Sequence, residues 1–232
     1  DGSILKRYVG KLKKDSASAE ASTMKNIGEE PKPYGKPDSI DVHPGHNRFT
    51  WNLRYPDKVI PGADEKTYFG ADYGPLATPG SYKVRLSVGD WSQTQNLRVK
   101  IDPRVKSIGI TTDDLQAQLD LNLKIRDALG KAHRIAAGID TLRKKVKASD
   151  LSKKDKAAAI NKLDNLYDSI VTSKKGSYPP PMLIDQLNYL YRMTSSADQH
   201  PGDDAYTRFR TLNKMLDHII PKWELLRKQI DI

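Results

Sequence analysis

The sequence predicts an α+β protein in separate domains: an antiparallel immunoglobulin-like β-sandwich over residues 1–103, then an up-down four-helix bundle over 104–232. Three observations carry this expectation. Apolar residues alternate with polar ones at Phe49, Trp51 and Leu53, at Tyr82, Val84, Leu86 and Val88, and again at Leu97, Val99 and Ile101. The runs are separated by turn pairs such as Pro79-Gly80 and Gly89-Asp90. Beyond Thr111 the apolar spacing changes to that of helices, interrupted by Tyr178-Pro179-Pro180-Pro181 and by His200-Pro201-Gly202.

Residues 3–9 follow an Asp1-Gly2 turn signal and have strand propensity. Residues 10–44 lose apolar periodicity and carry Pro31, Pro33 and Pro37, which predicts a long mobile loop. From Asn47 the alternation of Phe49, Trp51 and Leu53 gives a strand with one buried and one wet face. Residues 54–79 form a second irregular excursion, rich in proline and glycine. Pro79-Gly80 suits a type II turn, since proline fixes its φ and glycine accepts a positive one. Gly89-Asp90 then suits a hairpin. Its parity agrees with a two-residue loop pairing Val88 with Trp91, or a four-residue loop pairing Val84 with Leu97. About four strands are visible where such a sandwich usually has about seven, so the excursions would hide edge strands or upstream sequence would supply one.

Thr111-Thr112-Asp113-Asp114 is a helix start, with a hydroxyl cap and carboxylates facing the helix dipole. Leu115, Leu119, Ile125, Leu129, Ala132, Ala136, Ile139, Leu142 and Val146 then predict one long helix over about 112–147. A second starts near Ser152 and carries Ile160, Leu163, Leu166 and Ile170; a third holds Leu183, Leu187, Leu190, Tyr191 and Met193. The fourth runs through Tyr206, Phe209, Leu212, Leu216, Ile219, Trp223, Leu226 and Ile230, with Pro221 expected to kink or divide it. Four amphipathic helices with short connections fold most simply as an up-down bundle.

Composition narrows the function. There is no cysteine, which removes disulfides, thiolate catalysis and cysteine-bound zinc. No run approaches the roughly 20 apolar residues of a membrane span. The net charge is +10, from 39 basic and 29 acidic residues, and the excess is spread over both halves. Its densest patch is Arg143, Lys144, Lys145, Lys147, Lys153, Lys154 and Lys156 against Asp150 and Asp155. No aromatic residue falls between Trp91 and Tyr167 to stack on bases, so nucleic acid is not the expected partner and a solvated helix corner is.

The search for catalytic chemistry ends in structural readings. His43 and His46 share a loop without a third ligand, so no metal is expected. Bundle metal sites need Glu-x-x-His pairs, none occurs, and no cofactor is expected. Asp102-Pro103-Arg104 could bring a carboxylate and a guanidinium together; the favoured reading is a domain junction, with Pro103 ending the last strand and Asp102 and Arg104 tying the halves by hydrogen bonds. Tyr55, Tyr68, Phe69 and Tyr73 lie in the second excursion and are candidates for stacking on a ligand. Trp51 reads as core by its alternation.

The ordered set Gly45-His46-Asn47-Arg48-Phe49-Thr50-Trp51-Asn52-Leu53-Arg54-Tyr55-Pro56, Gly74-Pro75, Pro79-Gly80-Ser81-Tyr82, Asp102-Pro103-Arg104, Pro181-Met182-Leu183-Ile184-Asp185-Gln186-Leu187 and Ala197-Asp198-Gln199-His200-Pro201 resembles the C-terminal region of bacterial secreted BNR/Asp-box, sialidase- or sortilin-like β-propeller proteins. The resemblance implies an upstream propeller, a periplasmic, outer-membrane or secreted location, and a glycosyl hydrolase label on the parent. No Ser-x-Asp-x-Gly-x-Thr-Trp repeat occurs here, so no catalytic residue carries over and the chain is not expected to be an enzyme. The reading is a non-catalytic accessory region that supports the propeller and contacts a protein partner. The alternative is a carbohydrate-binding module of a glycoside hydrolase.

Overall fold

The computed structural model describes residues 4–12, 38–56, 74–173, 176 and 178–230. Strand β1 (Tyr8–Leu12) pairs in parallel with β2 (Asp38–Val42), Tyr8 opposite Asp38 and Leu12 opposite Val42. Strands β3 (Gly80–Val88) and β4 (Trp91–Val99) form an antiparallel hairpin with nine pairs in unbroken register. Val88 faces Trp91 and Val84 faces Gln95, so the turn is the two-residue one. Gly89 has φ 56°, the glycine-first pattern of a type II′ turn, whose twist matches that of the flanking strands.

The immunoglobulin-like sandwich expected over 1–103 is not what the chain forms. Among the described residues there are two sheets of two strands each and five helices, not a sandwich followed by four. Alternation states which face a strand would bury; it does not supply the neighbouring strand that makes it one. Residues 47–53 illustrate the difference. At the start of this stretch the Asn47 side-chain amide accepts from the His43 N–H at 3.0 Å and donates to the carbonyls of His43 and Gly45, closing a local turn at 43–47. Leu53 then takes φ 57°, which no strand accommodates. No strand forms over 47–53, and a single antiparallel bridge, Arg54 with Leu76, lies just beyond it. Of the predicted mobile loop over 10–44, residues 10–12 and 38–42 are strand, and 13–37 lie outside the described residues. Residues 57–73 of the second excursion lie outside them too.

Pro103 opens a short helix, α1 (Pro103–Ser107), that the sequence reading took as a strand end. Helix α2 (Thr112–Ala148) starts on a complete capping box: the Thr111 hydroxyl accepts from the Asp114 N–H, and the Asp114 carboxylate accepts from the Thr111 N–H at 2.9 Å. Helix α3 (Lys153–Asp168) is capped in the same sense by Ser152. Helix α4 (Leu183–Ser195) follows the proline run, and α5 (Asp203–Gln229) runs continuously through Pro221.

Helix α2 packs on α3, α4 and α5, and α5 in turn on α3 and α4. Their apolar stripes meet in one core, with Leu121, Ile125, Leu129, Ile139, Leu163, Leu187, Leu212 and Leu216 essentially removed from water. Each such side chain contributes on the order of 1.5–3 kcal/mol relative to exposure. No strand of either sheet brings a Cα within 8 Å of a helix or of the other sheet. The core is therefore helical, and the strand pairs stand outside it.

Candidate functional site

The two parts of the chain meet where residues 51–56 and 74–79 lie against α2. Ala77 N–H donates to the Leu53 carbonyl at 2.7 Å and Tyr55 N–H to the Pro75 carbonyl at 2.9 Å, clamping the two segments together. Gly74 is required there, because a Cβ would overlap the Tyr55 carbonyl. Arg54 reaches the Gly74 carbonyl from its guanidinium at 2.9 Å. Across the boundary, Arg126 donates to the Pro56 carbonyl at 3.1 Å, and the Thr78 hydroxyl to the Gln116 side chain at 3.0 Å.

A cavity of about 180 Å³ lies in this boundary, lined among others by Leu53, Ala77, Ile101, Leu119, Asn122 and Asp198. Ligand pockets usually hold about 300–1,000 Å³, so this is a packing crevice, not room for a sugar chain. Its polar floor is already bonded. The buried Gln118 amide donates to the carbonyls of Thr194 and Ala197, and the Thr194 hydroxyl donates to Asn122. The sequence reading missed this pair. Its signal was a Gln and an Asn four residues apart on the apolar side of α2, a spacing that puts both on one face.

Of the four stacking candidates, Tyr68, Phe69 and Tyr73 lie outside the described residues. Tyr55 is half-buried at the boundary; burial pushes its phenol above the ordinary value, Tyr82 and Asp120 add to that, and Arg126 opposes it. Asp102 and Arg104 bond each other. The Asp102 carboxylate caps α1 by accepting from the Arg104 N–H at 2.8 Å and takes the Arg104 guanidinium at 2.7 Å. Those hydrogen bonds hold Asp102 down at about 2. The pair braces its own turn, while Arg126 and Thr78 bond across the boundary. Trp51 is half-buried, edge-on to Tyr82 with ring centroids 5.6 Å apart. Among the described residues, no three His, Cys, Asp or Glu side chains come together as a metal site would need, and no helix is long and apolar enough to cross a membrane.

The feature left without a structural purpose is the hairpin. Its alternation places Tyr82, Val84, Leu86 and Val88 on one face, with Trp91, Gln93, Gln95 and Leu97 opposite them. Tyr82 is covered by Trp51, but the outer half is open: Val84 is 52% exposed, Leu86 58%, Val88 66% and Trp91 52%. Val84, Leu86 and Val88 were expected to face a sandwich interior. With Trp91 they form instead an exposed apolar surface on the outer half of a strand pair whose base, at Val99, shares a cavity wall with α2, and exposed apolar surfaces are candidates for interaction sites.

Comparison with family models, with curated proteins and with solved structures finds no match to this chain, so nothing attaches the BNR or glycosyl hydrolase labels to it.

Proposed function

We propose that this chain is a non-catalytic interaction region, in which the helices form a rigid base and the β3–β4 hairpin docks on a protein partner. The observation that carries the reading is the open apolar face of Val84, Leu86, Val88 and Trp91. A two-stranded hairpin by itself is marginal in water, and a face of this composition gains by being covered.

The magnitudes favour a tethered partner. Covering four half-exposed apolar side chains contributes about 3–6 kcal/mol, whereas free association costs about 4–15 kcal/mol in lost translation and rotation. A partner joined to the same polypeptide escapes most of that cost through its high effective concentration. The resemblance to the end region of secreted propeller proteins points the same way, toward an accessory segment that braces a neighbouring domain outside the cytoplasm.

The test uses the purified chain beside a Leu86→Lys, Trp91→Ser variant, whose helical core is untouched. Both are immobilised and exposed to the extracytoplasmic fraction of the source cells and to the separately produced remainder of the parent polypeptide. The reading requires one protein that binds the wild type and is lost from the variant, with the helical circular-dichroism signal equal in the two. Equal retention by both would remove the hairpin as the docking surface.

A further inference from the structure

The turn of the hairpin decides which backbone groups face outward. A two-residue turn closes on a hydrogen-bonded pair, here Val88 with Trp91, and bonded pairs then recur at every second position. The N–H and C=O groups of Ser81, Lys83, Arg85 and Ser87 therefore point away from β4 along the outer edge of β3. No other strand or helix of the described chain comes within 8 Å of that edge, measured between Cα atoms. The two faces beside it differ sharply in chemistry. One carries Val84, Leu86 and Val88, all more than half exposed. The other carries the exposed Lys83 and Arg85, with no ion pair to either among the described residues, and neither strand of the hairpin contains a carboxylate.

We propose that the outer edge of β3 receives an extended segment of the partner, alternating apolar and acidic residues, as a third strand of this sheet. The inference rests on the reading of the hairpin as a docking surface and names how the partner is recognised. Main-chain bonds to Lys83 and Arg85 supply the pairing, as in strand addition generally. Side chains of the incoming strand alternate between two faces. Its apolar set extends the Val84–Leu86–Val88 surface, and its acidic set lies opposite Lys83 and Arg85, where opposite charges stabilise a cross-strand pair. Edge lysines ordinarily keep strands from pairing indiscriminately; here the same two cations select for an acidic segment. A second copy of this chain is the wrong occupant, because β3 against β3 sets Lys83 and Arg85 against their own kind between two molecules of net charge +10.

The probe is a capped nine-residue peptide alternating valine and glutamate, compared with its valine–lysine counterpart by amide hydrogen exchange on the full chain at low salt. The valine–glutamate peptide slows exchange of the Lys83 and Arg85 amides at least tenfold and leaves those of Thr94 and Asn96 on the β4 edge unchanged. The lysine peptide binds at least tenfold more weakly, and a Lys83→Glu, Arg85→Glu variant reverses that preference. Protection at Thr94 and Asn96 instead, equal binding of both peptides, or self-association through Lys83 and Arg85 would each overturn the proposal. If the peptides leave the Lys83 and Arg85 amides untouched while partner capture still depends on Leu86 and Trp91, strand addition fails and the docking reading stands. If capture ignores Leu86 and Trp91, the docking reading itself fails.

Discussion

The indole of Trp223 on α5 occupies the space that a side chain at position 138 of α2 would need: a Cβ on Gly138 would stand 2.6 Å from Trp223 Cζ2. A glycine in mid-helix ordinarily costs about 0.5–1 kcal/mol relative to alanine, and here it gives α5 its approach to α2. Gly138→Ala is expected to destabilise the protein by about 1–3 kcal/mol through overpacking. In a Trp223→Leu background the same change should stabilise instead, because the propensity gain is then unopposed. Urea unfolding of the four proteins in this cycle measures both.

The entry into α2 depends on Thr111. Replacing it with alanine removes the hydroxyl that accepts the Asp114 N–H, and the cost expected for a lost cap is about 0.5–2 kcal/mol. Thr111→Ser keeps the oxygen and should retain most of that stability. A Thr111→Ala protein as stable as the wild type would show that the start of α2 is held by packing alone.

Asp102 should titrate near 2, far below the usual carboxylate value, because it accepts hydrogen bonds from the Arg104 side chain and backbone. The sign follows from linkage: a carboxyl depressed by folding stabilises above its unfolded value of about 3.8 and loses that contribution as pH falls through about 2. The window is therefore roughly pH 4 to 2. Carbon-detected titration of the Asp102 carboxyl gives the midpoint, and Arg104→Ala should move it upward toward the ordinary range. A wild-type midpoint near 4 would mean that the cap is absent in solution.

The helices were legible in the sequence because each signal for them is local. The Thr111–Asp114 box, the Ser152 cap and the three-and-four spacing from Leu115 to Val146 act within one or two turns, and the structure places them accordingly. Pro221 does not divide its helix, since α5 continues through it from Asp203 to Gln229. Pro103 misled: a residue that ends strands also suits the first turn of a helix, and Asp102 supplied the cap. The strands were legible only as faces. Gly89-Asp90 specified the hairpin, but whether Val84 and Leu86 are buried depends on a partner element, which no spacing within 80–99 can report. The same limit applies at 49–53, where Leu53 turns out of the strand region at φ 57°. Of the candidate site, the residues were visible as an alternation, whereas their exposure came from the fold.

Photo-crosslinking from position 86 tests the docking role most directly. A photoreactive residue is placed at Leu86 in the protein within its native cells, and a second at Lys144, near the C-terminal end of α2, serves as the control. Docking through the hairpin predicts that position 86 joins one defined protein segment, that Lys144 does not, and that Trp91→Ser removes the adduct. Equal, scattered labelling from both positions, or none from position 86, would contradict it and leave the apolar face of β3 and β4 exposed in the working protein.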